Sequence, residues 1–143
     1  MPPIVRNILA VIAGFLVGSA VNMAIISVGP MVIPPPEGVD MSDMDKFAEN
    51  LKLLKSTHFI APWLAHALGT LVGAFIATKV AASHKMKFAL GIAVLFLLGG
   101  ITMVSMFGGP LWFNVLDLIG AYLPMGYLGG VLGGWKRSES FET

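Results

Sequence analysis

The chain has 143 residues, of which 56% are hydrophobic and 12% charged, with no cysteine and a net charge of +1. Soluble domains carry roughly 25% charged residues, so about half of the usual solvating surface is missing. The near-neutral charge excludes a phosphate-binding face and hence nucleic acid, and the missing thiols exclude disulfides, zinc–thiolate sites and cysteine nucleophiles.

Spanning a hydrocarbon core takes roughly 20 apolar residues in a helix. Four segments meet that length, at about 8–28, 59–79, 88–107 and 111–135. The first has no charge, the second only His66 before Lys79 at its last position, the third none, and the fourth only Asp117. Barrel strands would place a polar residue at every second position, and these runs do not. The expected fold is therefore an all-α integral membrane protein, a four-transmembrane-helix bundle in a single domain. The first run is too long for a signal peptide's apolar region and has no small-x-small site directly after it, so it is read as a retained span.

The segment 29–57 is the one sizeable polar stretch. Pro34, Pro35 and Pro36 force it to begin extended. Ser42 and Asp45 then have the spacing of a capping box, and Met44, Phe47, Leu51 and Leu54 recur at helical intervals. The spacing predicts a short amphipathic helix lying on the membrane surface or covering the helix ends.

Orientation follows the lysines and arginines. Threading four spans puts Arg6, Lys79, Lys85, Lys87, Lys136 and Arg137 on one side, against Lys46, Lys52 and Lys55 in an acidic loop on the other. Both termini are expected in the cytoplasm, the 29–57 loop outside, and a bacterial cytoplasmic membrane is the natural location. Trp63 and Trp112 should then lie at the outer interface and Trp135 at the inner one.

Small residues recur every four positions: Ala10, Gly14 and Gly18 in the first span, Ala65, Gly69, Gly73 and Ala77 in the second, Gly126, Gly130 and Gly134 in the fourth. Such stripes let helix backbones approach in lipid, where burial alone gives no drive to associate. Gly129 and Gly133 lie beside the last stripe, and the excess points to a homo-oligomer or to other membrane subunits as partners, besides the bilayer itself. A faint repeat relates Gly69, Gly73 and Lys79 to Gly126, Gly130 and Lys136, and Phe15–Gly18 to Phe96–Gly99, which suggests two parallel hairpins.

Polar groups inside a membrane are costly and carry most of the functional information. At 1.5 Å per residue, Asn22, His66, Thr102 and Asp117 all lie about 8–10 Å below the outer ends of their spans, with Asn114 and Ser105 shallower. Pro124 removes the donor for the Gly120 carbonyl just beyond Asp117. Three readings of this polar layer compete: a structural hydrogen-bond network, a transport or proton-relay site built on Asp117 and His66, and a metal or catalytic site. The last is weakest, because His58 and His66 are eight residues apart and Met23, Met103 and Met106 suit packing as well as soft-metal ligation. No second intramembrane carboxylate, no nucleophile elbow and no nucleotide fingerprint occurs. The expected function is that of a non-enzymatic subunit or accessory component of a membrane assembly, without cofactor or metal. The rival is a small oligomeric transporter or proton- or cation-coupled permease using the Asp117–His66 pair.

Overall fold

The computed structural model describes residues 1–136, so Arg137, used above for orientation, lies outside the described residues. These residues form six α-helices and no strand: α1 (Pro3–Val32), α2 (Phe47–Leu51), α3 (Ile60–Val80), α4 (Lys85–Phe107), α5 (Leu111–Gly120) and α6 (Leu123–Leu132). A 3₁₀ turn, Ser56–Phe59, runs directly into α3, and α5 with α6 forms one interrupted span. Four helices are thus long and apolar enough to cross a membrane.

Helix α1 begins five residues before the expected 8–28 span. Pro3 occupies its first turn, where a missing N–H costs nothing. Its 30 residues reach about 45 Å, well beyond the roughly 30 Å of a hydrocarbon core. It stops where the Ile33 N–H donates to the Gly29 carbonyl at 2.9 Å, because the three prolines that follow cannot extend the ladder. At its other end, α1 clasps the α3–α4 turn. The Arg6 Nε donates to the Val80 carbonyl at 2.8 Å, and the Asn7 amide accepts from the Ala82 N–H at 2.9 Å and donates to the Ser83 hydroxyl at 3.2 Å.

The small-residue stripes are the contact faces, except at Gly134, which lies past the end of α6 with open space around it. A Cβ built on Gly73 would stand 2.7 Å from the Gly14 carbonyl oxygen, and one on Gly18 would stand 2.7 Å from that of Gly69. On the other side of the molecule Gly126 meets Ala93, while Gly130 meets Met86 and Ala89. Gly129 faces the Leu71 carbonyl and Ala74, and Gly133 faces Thr78. Helix α6 therefore uses two glycines against α4 and two against α3. The glycines that looked surplus for one neighbour serve two neighbours within the same chain. In the proposed repeat, Gly99 is the counterpart of Gly18, yet it faces open space.

In the loop the helical turn is shorter than the spacing of Met44 to Leu54 predicts: α2 has five residues. Ser42 does not cap it, because its N–H and hydroxyl both donate to the Asp40 carboxylate, at 2.8 and 2.6 Å. Those bonds hold the Asp40 carboxyl below the usual carboxylate range. Asp43 instead accepts from the Asp45 and Lys46 N–H groups and builds the preceding turn. The loop is tied down elsewhere: the Asn50 amide donates to the Asp40 carbonyl at 2.7 Å, and Phe47 packs edge-on against Phe107 at the end of α4. The α4–α5 turn needs its glycines, since Gly108 (φ 73°) and Gly109 (φ 120°) adopt positive φ that side chains rarely tolerate.

Candidate functional site

Helix α3 carries His66 and α5 carries Asp117, and the two side chains meet. The His66 Nδ1 lies 2.8 and 3.0 Å from the two Asp117 carboxylate oxygens. A carboxylate only accepts, so this nitrogen bears a proton, and in the neutral imidazole Nε2 is then left as an acceptor, an assignment made from the hydrogen-bond pattern. Asp117 is 3% exposed, whereas His66 keeps a quarter of its side chain open.

A third member comes from the interruption of the span. The Ala121 N–H closes the last turn of α5 on the Asp117 carbonyl at 2.9 Å; then Tyr122 (φ −113°, ψ −78°) turns the chain and Pro124 sits in the first turn of α6. The Tyr122 hydroxyl donates to the second Asp117 oxygen at 3.1 Å, and its ring stacks on His66 with centroids 5.7 Å apart. Positions i and i+5 lie about 140° apart around a continuous helix and cannot share a partner there. Only the break brings Tyr122 back to Asp117. The sequence reading of the polar layer missed this tyrosine. The signal was a hydroxyl in mid-span, two residues before a proline, which needed an acceptor.

The remaining members of the predicted layer do not join. Thr102 donates to the Leu98 carbonyl of its own helix at 2.8 Å, and Ser105 does the same to Ile101. The Asn114 amide reaches the Gly109 carbonyl at 3.4 Å and closes the preceding turn. Asn22 makes no side-chain hydrogen bond among the described residues and stands against Gly69. Trp63, expected at an interface, packs against the buried cluster of Ala67, Ala121 and Tyr122, with Gly120 beside its ring. His58 is engaged in the loop: the Lys55 N–H donates to its Nδ1 and its Nε2 donates to the Pro34 carbonyl, both at 3.0 Å. No cluster of three or more His, Asp or Glu with metal-ligand geometry occurs among the described residues.

Asn22, His66, Thr102, Asp117 and Tyr122 all line one cavity of about 1030 Å³. Near the Arg6 end, α1 and α4 touch through the Phe15–Phe96 stack, with centroids 5.6 Å apart, and through Gly18 against Phe96. Toward the loop the two helices part, and the cavity fills the space between Met23 and Ile26 on one side and Thr102 and Met103 on the other. Helices α3 and α5 form its back wall with His66 and Asp117, and the loop with α2 roofs it.

Fold and site together define a helical protein able to cross a membrane four times, with a large cavity walled by a His–Asp–Tyr triad whose Asp117 and Tyr122 are buried. Comparisons with protein-family profiles, with curated proteins and with solved structures find no match to this chain.

Proposed function

We propose that this chain is a non-enzymatic membrane permease that binds a small lipophilic molecule and moves it together with a proton, with His66 and Asp117 as the proton-carrying pair. The observation that carries the reading is the hydrogen-bonded triad set in the wall of the 1030 Å³ cavity. That volume is at the upper end of the roughly 300–1,000 Å³ of small-molecule sites. A proton accepted at His66 Nε2 can be balanced by passing the Nδ1 proton toward the Asp117 carboxylate, so the pair exchanges a proton without exposing the carboxylate. The interruption between α5 and α6 beside Asp117 adds support, since transporters build midplane sites from broken helices.

Binding and movement suit the site better than covalent chemistry. Among the described residues Thr102 and Ser105, the hydroxyls of α4, donate to carbonyls of their own helix and not to His66. The alternative role as a subunit of a larger assembly drew its support from the glycines of the fourth span, and those are occupied by α3 and α4.

The test is proton movement. Purified protein in vesicles loaded with a pH-sensitive dye, challenged with a panel of lipophilic alcohols, weak acids and amines, should couple at least one of them to a pH change. A panel that moves no proton, against a working control permease, would sink the reading.

The same proposal places both termini in the cytoplasm of a bacterial cell and the loop outside, on the charge asymmetry of the sequence. Glu49→Cys should react in intact cells with a membrane-impermeant thiol reagent, and Lys87→Cys only after permeabilisation. The opposite pattern would reverse the orientation.

A further inference from the structure

The permease reading leaves the ligand's chemistry open, and the cavity wall narrows it. We propose that the cavity takes an uncharged, hydrocarbon-tailed molecule bearing a hydroxyl head, whose O–H donates to His66 Nε2, and that this molecule enters sideways from the lipid between α1 and α4. The inference rests on the proposed binding role of the same site.

Hydrogen-bond accounting at the triad determines the head group. Asp117 is 3% exposed, and its oxygens already accept from His66 and Tyr122, so it presents little surface to a ligand cation. The Tyr122 hydroxyl spends its proton on Asp117 and is buried. His66 Nδ1 faces the carboxylate, so in the neutral imidazole Nε2, without a partner among the described residues, is the free acceptor of this cavity-lining side chain. An acceptor seeks a donor. No lysine or arginine lines the cavity, so an anionic head would be left there without a counter-charge. The one carboxylate at the loop rim, Asp40, is bound to Ser42. A neutral hydroxyl is a head that this set of groups can satisfy, since it can donate to His66 Nε2 and also accept from an amide such as that of Asn22, which lines the same cavity without a side-chain partner among the described residues.

The rest of the cavity determines the tail and the route. Met23, Ile26, Phe96, Met103 and Phe107 present apolar surface. The contact between α1 and α4 ends at the Phe15–Phe96 stack, and beyond it Gly99 carries no side chain and faces open space. A mouth between two lipid-facing helices admits a molecule already dissolved in the bilayer.

The probes are a long-chain alkylphenol and its O-methyl ether, which share a shape and differ in one donated proton. Binding is measured by equilibrium partition into nanodiscs that carry the protein, against empty nanodiscs. The phenol should bind saturably and the ether about ten-fold more weakly, the factor set by one hydrogen bond to a buried acceptor. His66→Leu should bring the two probes to equal affinity, a ratio that general loosening of the fold would not shift. Gly99→Phe, which leaves the triad untouched, should weaken both probes at least ten-fold and preserve their ratio. Equal binding of phenol and ether by the wild type, or no saturable binding of either, overturns the proposal. So does an unchanged ratio in His66→Leu; if that variant fails to fold, Gly99→Phe binding both probes like the wild type overturns it instead. The two readings fail separately. Proton-coupled movement of amines without phenol binding would keep the permease and discard this ligand, whereas phenol binding without proton movement would do the reverse.

Discussion

Asp117→Leu is expected to lower the stability of the folded chain in detergent by about 2–6 kcal/mol, the cost of two orphaned buried donors. The two are the His66 Nδ1–H and the Tyr122 hydroxyl, which share this one carboxylate at 2.8–3.1 Å. Leucine fills the volume but accepts from neither. Asp117→Asn behaves differently. Its amide oxygen can accept from Tyr122 while its NH₂ donates to His66 Nδ1, provided His66 moves its proton to Nε2. Stability should then stay within about 1 kcal/mol of the wild type. Proton movement should nevertheless stop, because an amide takes up no proton and Nε2 has become a donor. Reversible unfolding in mixed detergent, paired with the vesicle assay, measures both quantities. A leucine variant as stable as the wild type would mean that the triad is not a closed set. An asparagine variant that still moves protons would remove Asp117 from the mechanism.

Gly73→Ile is expected to cost about 3 kcal/mol or more, at the upper end of overpacking penalties. A Cβ there would stand 2.7 Å from the Gly14 carbonyl oxygen and 3.3 Å from the Gly18 Cα, and backbone cannot rotate aside. Helices α1 and α3 would have to separate along their shared face, which also carries Gly18 and Gly69. Gly130→Ile should be milder, because the nearest atoms belong to the flexible end of Met86. Gly91 is the control: its position is open, so Gly91→Ala should be neutral or stabilise the helix by up to about 1 kcal/mol. Unfolding midpoints for the three variants rank the sites, and a Gly73→Ile protein as stable as Gly91→Ala would show that α1 and α3 are not in contact there.

The stripes that make these predictions possible were readable without coordinates, since a four-residue interval places small side chains on one helix face whatever that face meets. Their partners were not readable. Gly126 and Gly130 turn to α4 while Gly129 and Gly133 turn to α3, and one sequence pattern serves both contacts. How many helices of this chain surround α6 is set by the packing and not by the interval along it.

The polar layer divides in the same way. Residue counting set His66 and Asp117 at one depth, and they do meet. It set Thr102 at that depth too, yet a threonine hydroxyl can satisfy itself on the carbonyl four residues back, and Thr102 does so at 2.8 Å. Depth follows from position along a helix, whereas contact depends on how each helix is rotated. Asn114 answers to a local demand as well, closing the turn at Gly109.

The sequence by itself determined the helical character, the four apolar lengths, the small-residue faces and the His66–Asp117 pair as the groups to explain. Each follows from local quantities: hydrocarbon thickness, periodicity, and the cost of an ionisable group among apolar neighbours. Only the tertiary structure decided that the fourth span breaks between α5 and α6, that the break returns Tyr122 to Asp117, and that α1 and α4 part beyond Phe15 and Phe96 to leave a cavity. Those outcomes depend on how five segments distant in sequence are rotated and spaced against one another, and no window along a single helix contains that information.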